Sequence, residues 1–465
     1  MNDSITRAKN TSYPTGKASL VAIGTVVKQQ HILDPLRQNV QIEQKVVRHT
    51  PTDKLIDALI GMLAGGESMV EVNTKVRSDV ALQRAFGRTG CAEQSTIQDT
   101  LDHCSAQNVA QLEQVLDETF ITHSAAFWAE SCQSVRLVDL DLTGLPCGPK
   151  AECATKGYFE GQYHRRGRQL GRVLASQFNE VVVDSIFPGS THLSEVVSSL
   201  IESAERRLGL SEVSDLERRA HTLIRMDAGG GALKCCNWLL ERGYQLLTKD
   251  YSSQRASRLA KSVVRWVEDP RSPKRQVGWV LEPCTEYVRP VLRLAVRCRS
   301  KRNRWREAVL ITTVWPEEAL GLVYLSAAEW AHPDAELLAL MYLYDARGGA
   351  AETSFEGDKQ GLGMRKRTKR HWEGQQMLTL LGSLAHNLVV WSRRWLSALE
   401  PRLASYGIKR MVRDVFHLHG RVVLNGWGQV IKIMISATIP LAEWVCSACR
   451  SLFRLLSIPI ILGKT

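Results

Sequence analysis

Apolar residues recur at helical spacing through the early part of the chain. Thr52 can cap a helix in which Leu55, Leu59 and Met62 follow at helical spacing, and Gly65-Gly66 ends the run. Ser95 caps a second segment, Thr96–Cys104, and Val109, Leu112, Val115 and Phe120 mark a longer one. The pattern predicts a helical domain over residues 51–130, preceded by a polar, weakly patterned segment at 1–50 that reads as flexible. Short helices of this kind can bind DNA, although no helix-turn-helix signature is sharp enough to assign one.

At Val135 the period changes. Val135–Leu142, Gln169–Gln177 and Val181–Phe187 read as strands, His192–Leu208 as a helix, Thr222–Met226 as a strand, Leu233–Arg242 as a helix and Tyr244–Thr248 as a strand. That order is an α/β layer pattern with a mixed sheet. Gly278–Leu281, Pro290–Cys298, Ala308–Val314 and Gly321–Leu325 then read as a run of strands, so residues 251–332 form a β-rich insertion. Helix returns at Asp334–Tyr344 and from about Ala350 to Leu399, which places the α/β core at 131–250 and 333–400. The stripe Leu378, Leu381, Leu384, Leu388 and Trp391 reads as core packed against the sheet. A C-terminal region, 401–465, carries a hairpin, Arg421–Leu424 and Gln429–Ile435, turning near Asn425-Gly426.

Composition narrows the classes. The 465 residues hold 60 Lys plus Arg against 48 Asp plus Glu, a formal charge of +12 that favours polyanionic partners. Hydrophobic residues at 44% and charged residues at 23% argue against global disorder. Met1–Arg7 has no apolar core, so no secretory signal is expected, and the most apolar stretch, Ile433–Ala442, falls short of a membrane span. The eleven cysteines are scattered; Cys446 and Cys449 form a CxxC without a second pair at zinc-ribbon distance, so free thiols in a reducing cytosol are expected. Gly463-Lys464-Thr465 lacks the earlier glycine of a phosphate loop, and His417-x-His419 is a weak metal pair.

Three carboxylates stand at informative places. Asp139 and Asp141 share one face of the first core strand, where a carboxylate is costly unless it is paired or bound to a cation. Asp227 ends a later strand, at the side where α/β folds form their crevice, and the turn through Gly229–Gly231 is an alternative use for it. Glu352 sits on a helix after the insertion, with Lys359 two turns on. Three such acids on one crevice suit two Mg²⁺ ions and phosphodiester chemistry.

These residues carry a family resemblance. Asp-x-Thr at Asp141–Thr143, Arg225-Met226-Asp227-x-Gly229, and Tyr344-x-x-Arg347 followed by Glu352-x(6)-Lys359 resemble the DDE transposases of bacterial insertion sequences. The similarity is greatest to the group with a β-rich insertion and a Tyr-Arg-Glu-Lys signature, and covers about Val135–Trp395. The resemblance implies an α/β ribonuclease H-like core with a mixed sheet, a β-rich insertion and a helical N-terminal domain. It implies Asp141, Asp227 and Glu352 as catalytic ligands of two Mg²⁺ ions, with Mn²⁺ able to substitute. Tyr344, Arg347, Lys359 and the basic run containing Arg365, Lys366 and Arg367 would grip DNA. The activity implied is cleavage at insertion-sequence ends and strand transfer, by a homodimer on double-stranded DNA comprising terminal inverted repeats and target, in the bacterial cytosol and on the nucleoid when DNA-bound. A ribonuclease H-like nuclease without strand transfer, and a non-catalytic DNA-binding descendant, are the alternatives. One departure is visible: the family leaves three residues between the arginine and the glutamate, and this chain leaves four, placing Ala351 where the acid would stand. A bend at Gly348-Gly349 is expected to absorb the extra residue, with Glu356 the fallback for Glu352 and Asp139 for Asp141. Two further basic clusters, His164–Arg168 and Arg297–Arg306, complete the picture; Trp305 in the second could stack on an unpaired base.

Overall fold

The computed structural model describes residues 10–46, 48–129, 135–159 and 161–465; the opening segment Met1–Arg7 lies outside them. Fourteen strands follow in chain order among the described residues: β1 (Thr11–Thr15), β2 (Arg136–Pro146), β3 (Thr155–Phe159), β4 (Gln162–Ala175), β5 (Glu180–Pro188), β6 (Thr222–Met226), β7 (Gln245–Lys249), β8 (Val267–Asp269), β9 (Ser272–Trp279), β10 (Leu292–Arg299), β11 (Trp305–Thr312), β12 (Gly420–Leu424), β13 (Val430–Ile435) and β14 (Ile461–Lys464). The architecture is a mixed α/β fold in two compact units. One comprises Ala125–Gly144 and Arg168–Thr353; the other takes the described residues up to Ser124, Leu145–Gly167 and Ser354–Thr465. No helix among the described residues is long and apolar enough to cross a membrane.

The first unit is built on a sheet that runs β4-β2-β6-β7-β11-β10-β9-β8, with β5 antiparallel to β4. β2, β6 and β7 are parallel, and the helix Leu233–Glu241 joins the last two as a crossover. Burial on both faces explains their near-continuous apolar runs, such as Leu246-Leu247 in β7. The insertion strands extend this same sheet: β11 pairs antiparallel with β7, and β10, β9 and β8 follow. The strand expected at Gly321–Leu325 is absent. Pro316 and the acids Glu317 and Glu318 instead start a helix, Pro316–Leu322, because a proline with acids in the first turn suits a helix N-terminus. The helix Ala335–Gly361 packs Leu338, Leu340 and Leu343 into a core with Leu223, Leu247, Leu294 and Leu310.

The second unit is mainly helical. The helix Trp372–Ser397 is buried along most of its length and packs against the helices Pro51–Leu63, Gln94–Asp102, Ala106–His123 and Pro440–Leu455. Leu378, Leu381, Leu384, Leu388 and Trp391 thus belong to a helical core rather than facing the sheet, as their stripe suggested. Periodicity specifies that a face is buried; it does not specify the partner. The helix expected from Ala350 to Leu399 is likewise two helices, broken at Gly363, whose φ of +69° an L side chain rarely adopts. The segment read as flexible before residue 50 contains β1 and a helix, Ala18–Gln29, buried from Ala18 to Val27. β1 pairs with β12, and β13 and β14 complete a four-stranded sheet, so the hairpin read near Asn425-Gly426 is an inner part of it. The Cys446 and Cys449 thiols are buried and free on the helix Pro440–Leu455.

Candidate active site

The parallel pairing of β2 with β6 sets Leu140 opposite Met226, so the next residues in register are Asp141 and Asp227. Two carboxylates 86 positions apart in sequence therefore stand beside each other at the end of β6. Asp227 is held there locally: its Oδ1 accepts from the Gly229 amide at 2.8 Å. The loop after it needs Gly231, because a side chain there would collide with the Lys249 carbonyl. The turn reading and the crevice reading of Asp227 thus describe one residue.

The two acids of β2 have different partners. Asp139 is fully buried and takes a bidentate pair from Arg225, at 2.6 and 2.8 Å. Arg225 also donates to the Leu343 carbonyl at 2.7 Å and to Ser176 Oγ at 3.0 Å. Asp141, with a side chain 14% exposed, meets Arg347 through one contact at 3.3 Å. The Arg347 guanidinium lies 5.7 Å from the Tyr344 ring centroid. Burial pushes the Asp141 carboxyl up; Arg347 opposes this and Asp227 adds to it, leaving the group at about 6. Burial pulls the other way on Arg347, but Asp141, Tyr344 and Asp227 outweigh it and hold the guanidinium above its ordinary range.

The structure therefore brings together Asp141, Asp227, Tyr344 and Arg347. Glu352 is exposed, and its Oε1 leans back toward Gly348, 3.9 Å from where a Cβ would stand. The bend expected at Gly348-Gly349 is absent: Ala335–Gly361 is one uninterrupted helix. Arg347 and Ala351, four apart, share a face, and Ala351 is buried; Glu352 is rotated by about 100° from it. The helix runs through both glycines despite their low helix propensity. Among the described residues, no three His, Cys, Asp or Glu side chains form a group able to hold a metal. The hard oxygen donors of Asp141 and Asp227 fit a divalent cation such as Mg²⁺, as far as two carboxylates can.

Sequence reasoning missed the brace behind this site. Asp269, fully buried, accepts from Tyr342 Oη at 2.6 Å and Arg275 Nε at 2.7 Å, and Arg275 reaches Asp345 at 2.6 Å. Arg271 lies 3.7 Å over the Tyr342 ring. These contacts fasten the helix that bears Tyr344 and Arg347 to β8 and β9. The only signal was polar residues inside an apolar helical run, with nothing to name their partners.

The expected phosphate contacts have varied surroundings. In the helical unit, Lys359 lies 3.9 Å from Glu356, and Lys366 pairs at 2.5 Å with Glu67 on the surface, beside exposed Arg365. Arg367 is buried instead, donating to the Gly66 carbonyl at 2.6 Å and the Leu362 carbonyl at 3.3 Å, and burial lowers it to about 10. In the insertion, Arg297 lies between Trp266 and Trp305, at 4.0 and 4.5 Å, and Arg299 is 4.9 Å from Trp305. Trp305 thus already stacks on cations.

Residues 5–457 match the family model described as transposase DDE domain group 1. No curated protein matches the chain. Among solved structures, the chain is similar to the cryo-EM structure of piggyBac transposase synaptic complex with hairpin DNA, at 12% identity and a TM-score of 0.45, over 97% of this chain and 88% of that one. With a family model covering nearly its whole length, the chain belongs to the DDE transposases, in domain group 1.

Proposed function

We propose that this protein is a DNA transposase that cuts at insertion-sequence ends and joins the freed 3′-OH to target DNA, with Asp141 and Asp227 as the heart of a divalent-metal site. The observation that carries this reading is the β2–β6 register, which sets the two carboxylates side by side. The sheet order β5-β4-β2-β6-β7, antiparallel at one edge and parallel at the other, supports a ribonuclease H-like core. When bound, Mg²⁺ would polarise the attacking and leaving oxygens of the phosphodiester. Asp141 and Asp227 would hold it, and Glu352 is the third acid of this reading. Tyr344 and Arg347 would orient the scissile phosphate by hydrogen bonds and charge. Lys359, Arg365 and Lys366 would grip DNA phosphates with salt-sensitive strength.

The test is Mg²⁺- or Mn²⁺-dependent cleavage of DNA carrying the element's ends, by wild-type and Asp227→Ala protein. Cleavage is expected to vanish in the variant; undiminished cleavage removes Asp227 from the site. Strand transfer from precleaved ends separates a transposase from a plain nuclease. Inverted repeats flanking the coding region are expected as well.

One observation favours a second reading. Ala351, not an acid, occupies the helix position that shares a face with Arg347. A DNA-binding descendant without catalysis would show salt-sensitive DNA binding and no metal-dependent cleavage in the wild-type protein.

A further inference from the structure

We infer that Arg347 is the counter-charge of the Asp141–Asp227 pair in the metal-free protein, and that it competes with the divalent cation for those carboxylates. The inference rests on the metal-site reading above.

Arg347 is buried to 7% exposure, yet it is poorly satisfied. Its Nε is buried without a hydrogen-bond partner, and its contact with Asp141 is single and long, at 3.3 Å. Arg225, two residues before Asp227, shows what a permanent pair looks like in the same sheet: a bidentate contact to Asp139 with further donors spent on Leu343 and Ser176. A guanidinium in the field of Asp141, Asp227 and Asp139, but bonded loosely, is placed by charge rather than by a fitted cradle. It cannot lose its proton, so it can yield the carboxylates only by moving. The helix behind it is fixed by Tyr342–Asp269 and Arg275–Asp345, so the movement belongs to the side chain. Once displaced, the same guanidinium is available to a DNA phosphate, which would couple metal entry to substrate contact.

The experiment is Mn²⁺ titration of the full-length protein, followed by electron paramagnetic resonance, at about pH 8.5 so that protons do not compete for the carboxylates. Arg347→Gln and Arg347→Ala are expected to bind Mn²⁺ at least about tenfold more tightly than wild type, because a positive charge beside the site is gone. Arg347→Lys, which keeps the charge, is expected to stay near wild type. Each variant's thermal melt reports folding, and Mn²⁺ should raise the melting temperature of Arg347→Gln more than that of wild type. Asp141-dependent binding that is unchanged or weaker in the Gln and Ala variants overturns the inference while leaving the metal site standing. Binding that survives Asp141→Asn, or no binding at all, overturns the metal-site reading and the inference with it.

Discussion

Asp139 and Asp141 stand two residues apart on one strand, and each meets an arginine, yet the two pairs are of different kinds. Asp139–Arg225 is closed: fully buried, bidentate, and saturated by the Leu343 carbonyl and Ser176. Asp141–Arg347 is open: one 3.3 Å contact, a bare Nε, a second carboxylate alongside and partial exposure. A buried ion pair is retained for structure when its hydrogen bonds are complete. An incomplete one, beside another acid, has capacity left for a ligand. Composition and strand periodicity cannot separate the two; the arginine's other partners can.

The comparison breaks most visibly at the closed pair. Asp139→Ala leaves Arg225 buried without its carboxylate and should cost about 3–5 kcal/mol, read as a lowered urea midpoint. A loss below about 1 kcal/mol would mean that the pair is not structural. The open pair should behave oppositely with pH. Asp141, pushed up to about 6, stabilises the fold most below about pH 4, where both folded and unfolded carboxyls are protonated, and loses that contribution as pH rises through about 6. Wild type should therefore lose about 2 kcal/mol relative to Asp141→Asn across that window, and the Asn variant should be at least as stable at pH 7 while failing in metal-dependent cleavage. Parallel pH curves for the two proteins would contradict the assigned shift.

The brace behind the open pair is smaller. Tyr342→Phe removes one donor to buried Asp269 and should cost about 1–2 kcal/mol in a thermal melt. The smallest stability change belongs to exposed Glu352. Glu352→Gln should leave the melt within about 0.5 kcal/mol of wild type, so any loss of cleavage would report its part in catalysis rather than in folding.

The parts legible in the sequence were those set by short-range pattern. The buried strands β2, β5, β6 and β7 and the helices between the last three were readable because burial on both faces writes apolar runs of strand length, whereas β3 and the polar first half of β4 carry no such run and were not read. Asp141 and Asp227 were readable because acids in or at the end of such runs are costly without a use. The helix Ala18–Gln29 was missed although its apolar run is nearly continuous, because the polar segments around it diluted the signal. Pro316 with two following acids was read as part of a strand region because its neighbours were strands. Arg367 was grouped with a basic run, since sequence cannot tell that a guanidinium is spent on the Gly66 and Leu362 carbonyls.

By itself the sequence determined the α/β layer pattern and the resemblance to DDE transposases that the family model bears out, and it singled out the acids that the resemblance names. Those features depend on residue type and spacing within one element or on an ordered motif. Tertiary structure alone decided that β8–β11 continue the sheet of β2, β6 and β7, and that Trp372–Ser397 sits in a largely helical core. It also decided that Arg225 closes on Asp139 while Arg347 faces Asp141. Each of these depends on which distant surface a segment meets. Burial energy rewards contact with any complementary apolar face, so local pattern leaves the choice of partner open.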